Sequence, residues 1–203
     1  MVDVSLLPMY LAVAGLWILQ WLVMPERDRP RGAYALVYIA LGAYAIWVFS
    51  LTFGPFRFVF GAEHFRANLV PLQATWDMIR FGYVQYSAYN VLGNLAILAP
   101  FAVAGPIIYR NMRHWASVVV SIFMLSLSIE TVQLIFGVRL FDVDDLILNT
   151  LGGLLGYLIA RRWILPFAAG NRGALVTWKS FGVLFLTIVA ALGVSFLFAL
   201  LAQ

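Results

Sequence analysis

Six long apolar stretches follow one another along the chain, separated by more polar segments. A helix needs roughly 20 predominantly apolar residues to cross about 30 Å of hydrocarbon. The six stretches cover residues 5–24, 33–53, 88–109, 115–136, 145–165 and 181–201. An isolated strand would leave its backbone N–H and C=O groups unpaired in lipid, so each stretch is interpreted as an α-helix. The pattern therefore predicts an all-α, polytopic transmembrane bundle of about six spans.

The composition indicates lipid rather than water as the solvent. Hydrophobic residues make up 64% of the 203-residue chain and charged residues 11%, whereas ordinary soluble domains have roughly 45–50% and about 25%. Residues 1–203 are interpreted as a single integral membrane domain. The absence of cysteine excludes a disulfide, a thiolate metal site and a cysteine nucleophile.

The arginine and lysine positions predict how the bundle is oriented. Nine basic residues fall in segments on one side: Arg27, Arg29, Arg31, Arg110, Arg113, Arg161, Arg162, Arg172 and Lys179. Four fall on the other: Arg57, Arg66, Arg80 and Arg139. Because basic loops favour the cytoplasmic side, both termini are expected outside a multi-pass protein of a bacterial-type cytoplasmic membrane. The same placement accounts for the net charge of +4 without a nucleic-acid partner.

The one long connection, residues 54–87, is extracytoplasmic in this orientation and rich in aromatic residues. Aromatic side chains favour the membrane–water interface. Residues 73–81 are predicted to form a short helix lying in that interface.

Polar side chains inside the spans concentrate near the predicted outer ends. Asn90 and Asn94 share a face of the third span, which Pro100 is expected to bend. Gln133 lies on the same face of the fourth span as Glu130, the one ionisable residue well inside a span. A charge at such a position costs roughly 2.5 kcal/mol or more, so Glu130 is expected to have a partner.

The fifth span begins with a stripe of carboxylates and amides that continues as glycines. Its members are Asp142, Asp145, Asn149, Gly152 and Gly156, at three- and four-residue steps. Asp142 or Asp144 is expected to cap the helix. The spacing of the two glycines is typical of positions where another helix packs closely.

The polar faces of the third, fourth and fifth spans all lie near the predicted outer ends of these spans. They are therefore expected to meet in one outward-facing polar pocket. Its expected members are Asn90, Asn94, Glu130, Gln133, Arg139, Asp142, Asp145 and Asn149. Arg139 could pair with Glu130 or with an aspartate. The alternative is structural: the amides would join helices and the aspartates would cap them.

The same residues resemble the motifs of VanZ-like membrane proteins. The main signature is Glu130-xx-Gln133-xxxxx-Arg139-xx-Asp142-xx-Asp145-xxx-Asn149-xx-Gly152-Gly153-xx-Gly156. Two shorter motifs precede it, Asn68-Leu69-Val70-Pro71 and Asn90-xxx-Asn94-xxxxx-Pro100. The resemblance covers about residues 68–159. Leu72, Leu98 and Ala102 depart from the family pattern. The family's namesake is associated with low-level resistance to the glycopeptide teicoplanin, so the resemblance implies a link to antibiotic resistance and the cell envelope, and no reaction.

Two functions fit the predicted pocket. The protein could bind an envelope amphiphile, such as a lipid-linked precursor, or a glycopeptide-like ligand, with membrane lipids as its surroundings. Alternatively, it could be a membrane enzyme that modifies a lipid-linked cell-envelope precursor. Glu130 would then be the candidate catalytic acid or base, and Asp142 and Asp145 the candidate metal ligands. The residues do not identify a cofactor.

Overall fold

The structure is a computed structural model, and it describes residues 2–3, 7–26, 28–53, 57–58, 67–135 and 139–167. These residues are predominantly α-helical, which confirms the all-α prediction. The predicted sixth span, residues 181–201, lies outside the described residues.

Two apolar helices open the bundle, α1 (Leu7–Val23) and α2 (Ala33–Phe53). The last carbonyl groups of α1 have no partner within the helix, and Arg29 supplies one. Its Nε donates to the Met24 carbonyl at 2.9 Å and its Nη2 to the Leu22 carbonyl at 2.7 Å. The two helices pack through Gly42, where a Cβ would lie 2.6 Å from the Trp17 ring.

Short extended segments join the ends of the helices. The strand β1 (Val2–Asp3) pairs antiparallel with β2 (Arg57–Phe58). The strand β3 (Ala67–Asn68) pairs in parallel with β4 (Phe141–Asp142), which immediately precedes the last described helix. After β3 comes the short helix α3 (Gln73–Arg80), close to the interfacial helix predicted over residues 73–81.

The third predicted span is built from two consecutive helices, α4 (Val84–Ile97) and α5 (Ala99–Ile108). Pro100 has no N–H to continue the helical ladder, and the Phe101 N–H bonds instead to the Leu98 carbonyl at 3.1 Å. The Ile97 carbonyl is thereby freed and accepts the Tyr44 hydroxyl of α2 at 3.0 Å. The interruption expected near Pro100 thus falls at Leu98, and the helix begins four residues before the predicted start at residue 88.

The last two described helices form the centre of the bundle. A 3₁₀ turn (Arg110–Arg113) leads into α6 (Trp115–Ile135), and α7 (Val143–Ile159) continues as one π-helical turn (Ala160–Ile164). The helix α7 packs against α4, α5 and α6.

Glycines on α7 make this packing possible. A Cβ on Gly152 would lie 1.9 Å from the Leu95 carbonyl oxygen, and one on Gly156 would lie 2.6 Å from the Ala99 carbonyl oxygen. On the neighbouring face, a Cβ on Gly153 would lie 2.7 Å from the Ile122 side chain. The backbones of α4, α5 and α7 therefore touch directly, which holds the amides of α4 beside the carboxylates of α7.

Within the part of the chain that the structure describes, four helices are long and apolar enough to cross a membrane: Ala33–Phe53, Val84–Ile108, Trp115–Ile135 and Val143–Ile164. They correspond to the second, third, fourth and fifth predicted spans. The helix of the first, α1, has 17 residues and is somewhat shorter than a full span. The total of six spans and the orientation of the termini stay predictions.

Candidate functional site

Asp142 joins three segments at the start of α7. Its carboxylate caps the helix by accepting the Asp144 N–H at 2.9 Å, and it also accepts the Asn68 Nδ2 at 3.0 Å. Its own backbone N–H donates to the Glu130 Oε2 at 2.9 Å. The end of α6, the strand β3 and the start of α7 are therefore tied together through one residue.

Asp144 belongs to α7 but caps a different helix, α3. It is 1% exposed and accepts the backbone N–H groups of Leu72 and Thr75, the latter at 3.3 Å, and the Thr75 hydroxyl at 3.2 Å. Leu72 precedes α3 with a left-handed φ of 63° and offers the helix no side-chain cap. The carboxylate of α7 supplies the missing acceptor and fixes the N-terminus of α3.

Asp145 connects α7 to α4. Its Oδ1 accepts the Asn94 Nδ2 at 2.5 Å, and the same Asn94 amide donates to the Asn90 Oδ1 at 3.2 Å. The two asparagines, one helical turn apart, thus form a short chain of amides that ends on a carboxylate. We call the connected set Asn68, Thr75, Asn90, Asn94, Glu130, Asp142, Asp144 and Asp145 the polar junction.

One turn deeper, Asn149 continues the polar face of α7. Its Nδ2 donates to the Ser126 Oγ of α6 at 2.9 Å, and both side chains are buried. Its Oδ1 is buried and has no hydrogen-bond partner among the described residues. Gln133 turns away from the junction, since its Nε2 donates to the Thr52 carbonyl of α2 at 2.9 Å.

Glu130 is 3% exposed and lies among charged groups. Asp145, Asp142 and Arg139 all interact with it electrostatically. Arg139 is exposed, and in the described part of the chain it forms no direct ion pair with an acid. The pairing of Arg139 with Glu130 or an aspartate, expected from the sequence, is therefore present only as a longer-range interaction.

Beside the junction lies an open cleft of about 330 Å³ between α2 and α4. It forms because α2 packs against α5, and not along the length of α4. The cleft is lined by Tyr44, Trp47, Leu51, Tyr89, Asn90, Gly93, Asn94, Ala96, Ile97 and Arg139. One wall is thus aromatic and apolar, and the other carries amides and a guanidinium group.

The residues predicted for one pocket are therefore not all in one place, and Asn90 and Asn94 belong both to the junction and to the wall of the cleft. Asn90, Asn94 and Arg139 line the cleft. Glu130, Asp142 and Asp145 lie in the junction, where hydrogen bonds from the backbone or from amides engage their carboxylates. Among the described residues, no group of three or more His, Cys, Asp or Glu side chains could hold a metal ion.

Sequence reasoning missed two parts of this region. The aromatic wall, Tyr44 and Trp47, belongs to an evenly apolar helix with no charged or amide residue to mark it. Asp144 was considered only as a cap of α7. The absence of a capping side chain before α3 was a signal that an acceptor from another segment was needed.

Long apolar helices packed around buried polar side chains define the class of this molecule as a helical membrane protein. The chain belongs to the VanZ/LLP1 family, whose sequence model matches residues 41–168. It is also similar to Protein VanZ of Enterococcus faecium, at 28% identity over 128 residues, which are 62% of this chain and 70% of that protein. No solved structure matches the chain. The family resemblance drawn from the motifs is confirmed, and the matched region extends further toward the N-terminus to include most of α2.

Proposed function

We propose that this protein binds an amphiphile with an anionic headgroup in the cleft between α2 and α4, at the outer side of the membrane. The observation that carries the proposal is the division of the cleft into an apolar aromatic wall and a wall bearing amides and a guanidinium group. Such a division matches a ligand with one charged end and one apolar end. A volume of about 330 Å³ is sufficient for a headgroup and the first part of a chain.

Arg139 is the residue suited to the headgroup. A guanidinium group donates in a planar fork that fits phosphate or carboxylate oxygens. Arg139 is exposed at the cleft, so a ligand can reach it without breaking an existing ion pair within the described residues. The amides of Asn90 and Asn94 line the same wall and add hydrogen-bonding groups.

The apolar wall is suited to the chain of the amphiphile. Trp47 and Leu51 are exposed on the surface of α2, where an apolar chain can cover them. Since α2 and α4 both belong to helices of membrane length, a ligand in the cleft can keep its apolar part in the bilayer. This arrangement favours a membrane-soluble ligand over a water-soluble glycopeptide.

The acids of the junction support the binding interpretation over the enzymatic one. Asp142 and Asp144 accept hydrogen bonds from backbone N–H groups of neighbouring segments. Glu130 accepts one from the Asp142 N–H. Carboxylates engaged in this way hold the architecture around the cleft.

The proposal is tested with purified protein in a maltoside detergent. Phosphatidic acid and phosphatidylcholine of identical chains are titrated, and binding is followed by native mass spectrometry and thermal stabilisation. We expect phosphatidic acid to bind at least about tenfold more tightly, which corresponds to about 1.4 kcal/mol. The variant Arg139→Gln should lose that preference.

The matched control is Arg161→Gln, which removes an exposed arginine outside the cleft and should leave the preference unchanged. Arg139→Gln should alter the free energy of unfolding by less than about 0.5 kcal/mol, as expected for an exposed side chain. Equal binding of both lipids to the wild type, or an intact preference in Arg139→Gln, would contradict the proposal.

A further inference from the structure

The helix α3 is held to the rest of the protein along one side. Its N-terminus is anchored on the buried carboxylate of Asp144 through the N–H groups of Leu72 and Thr75 and the Thr75 hydroxyl. The helix also packs against α4 and α7. Its orientation about its own axis is therefore set by contacts on the Thr75 side.

An apolar stripe faces away from these contacts. Leu72, Trp76, Ile79 and Tyr83 follow one another at steps of four, three and four residues, which places them on one side of the helix. All four side chains are exposed, Trp76 to 64%. A surface helix ordinarily turns its apolar stripe toward the protein core, so this stripe needs a covering from outside the described residues.

The stripe continues into a surface that faces lipid. The next helix, α4, begins at Val84 and opens the candidate span Val84–Ile108. Its first turn exposes Val84 and Tyr86. The stripe therefore meets the lipid-facing side of a membrane helix at the level where that helix begins, which is the depth of the lipid headgroups. Tryptophan and tyrosine are enriched at this depth.

Arg80 adds charge complementarity to the stripe. It is exposed in the last turn of α3, where a guanidinium group can contact lipid phosphates. Apolar and aromatic residues on one face and a basic residue at its edge are typical of helices that lie in the plane of a membrane surface.

From these observations we infer that α3 is a membrane-interface helix, with Leu72, Trp76 and Ile79 inserted at the headgroup level of the bilayer. The partner is the lipid surface itself, and Asp144 holds the helix at the required depth. This surface lies outside the cleft and does not depend on the function proposed for it.

The chain has no cysteine, so a single cysteine can be introduced and spin-labelled without altering others. Ile79→Cys places the label on the stripe, and Asp77→Cys places it on the same helix off the stripe. Each labelled protein is reconstituted in vesicles of phosphatidylcholine and phosphatidylglycerol. Accessibility to oxygen, which concentrates in lipid, is compared with accessibility to a water-soluble nickel chelate.

The label at position 79 should be relaxed more by oxygen than by nickel, and the label at position 77 more by nickel. A label at 79 that favours nickel as strongly as the one at 77 would show an aqueous surface and overturn the inference. Protection from both reagents would show a protein covering and would also overturn it. Trp76→Cys, measured in the same way, decides the question if Ile79→Cys fails to assemble.

Discussion

The polar junction and the cleft lie side by side, yet they use polar side chains in opposite ways. In the junction, the carboxylates of Asp142, Asp144 and Asp145 accept hydrogen bonds from other segments of the chain. In the cleft, Arg139 is exposed and is not directly paired with an acid among the described residues. The first region uses its polar groups to bond segments of the protein together, and the second leaves the Arg139 guanidinium group accessible to a ligand.

This difference shows why a polar residue near the membrane does not by itself mark a binding site. Burying a charge or an amide without partners costs several kcal/mol, so partners within the protein indicate a structural task. Accessible groups beside an apolar wall indicate recognition. Substitutions in the junction should therefore affect assembly, whereas those in the cleft should affect binding.

The largest expected effect comes from Gly152→Ala. The new Cβ would lie 1.9 Å from the backbone carbonyl oxygen of Leu95, so α4 and α7 would have to separate. Overpacking of this kind costs typically 1–3 kcal/mol, occasionally more. We expect a clear fall in the midpoint of thermal unfolding in detergent and a lower yield of folded protein.

Gly93→Ala is the matched control, because Gly93 lines the cleft and a Cβ there meets nothing within 4 Å. It should leave stability unchanged or raise it slightly, since alanine favours helix more than glycine. An equal loss of stability in both variants would show that the close contact of α7 with α4 at Gly152 is no more sensitive to an added Cβ than the open cleft at Gly93.

An intermediate effect is expected for Asp144→Ala. The variant leaves the N–H groups of Leu72 and Thr75 without their acceptor, at a cost of about 1–3 kcal/mol. Limited proteolysis within residues 67–83 should accelerate, and the thermal midpoint should fall. Asp144→Asn keeps one acceptor oxygen and should lie between Ala and wild type. Wild-type behaviour of the alanine variant would show that α3 is held by other contacts.

The smallest effect is expected for Glu130→Gln. A glutamine oxygen can still accept the Asp142 N–H, and the substitution keeps the shape of the side chain while removing its ability to ionise near Asp142 and Asp145. The thermal midpoint should change little, by less than about 1 kcal/mol in free energy of unfolding. Glu130→Ala removes the acceptor and should destabilise by about 1–3 kcal/mol.

Lipid binding in the same Glu130→Gln variant separates the binding interpretation from the enzymatic one. We expect its preference for phosphatidic acid to be retained, because Glu130 does not line the cleft. If the folded variant instead lost a lipid-modifying activity that the wild type possesses, this result would support the enzymatic interpretation. It would contradict a purely structural role for Glu130.

Hydrophobic length predicted the long helices well. The bounds of α2 agree with the predicted residues 33–53, and α6 (Trp115–Ile135) lies within the predicted residues 115–136. The start of α4 was placed too late, because the polar residues before position 88 argue against a span although they fit a helix. The length of an apolar stretch indicates how much of a helix lies in the hydrocarbon of the bilayer, and a helix can extend beyond that part.

The site could be predicted only as far as spacing along single helices reaches. Helical periodicity brought Asn94 to the same face as Asn90, and the Asn94 amide bonds to both Asn90 and Asp145. It placed Gln133 with them as well, yet Gln133 bonds to Thr52 of α2. Which helix becomes the neighbour of which is decided by tertiary packing. Tertiary packing also creates the aromatic wall of the cleft and the bond from Asp144 to α3, so neither could be predicted from spacing along one helix.

The interruption of the helix at Leu98 bears on how wide the cleft can become. The Ile97 carbonyl that it releases is held by the Tyr44 hydroxyl at 3.0 Å, and both residues line the cleft. This bond acts as a latch between α2 and the α4–α5 segment. Spreading the helices at that level would break this hydrogen bond, which contributes about 0.5–1.5 kcal/mol. For the amphiphile proposed above, a wide apolar chain would have to displace this bond, so the Tyr44 hydroxyl would limit the width of the chain that the cleft can hold.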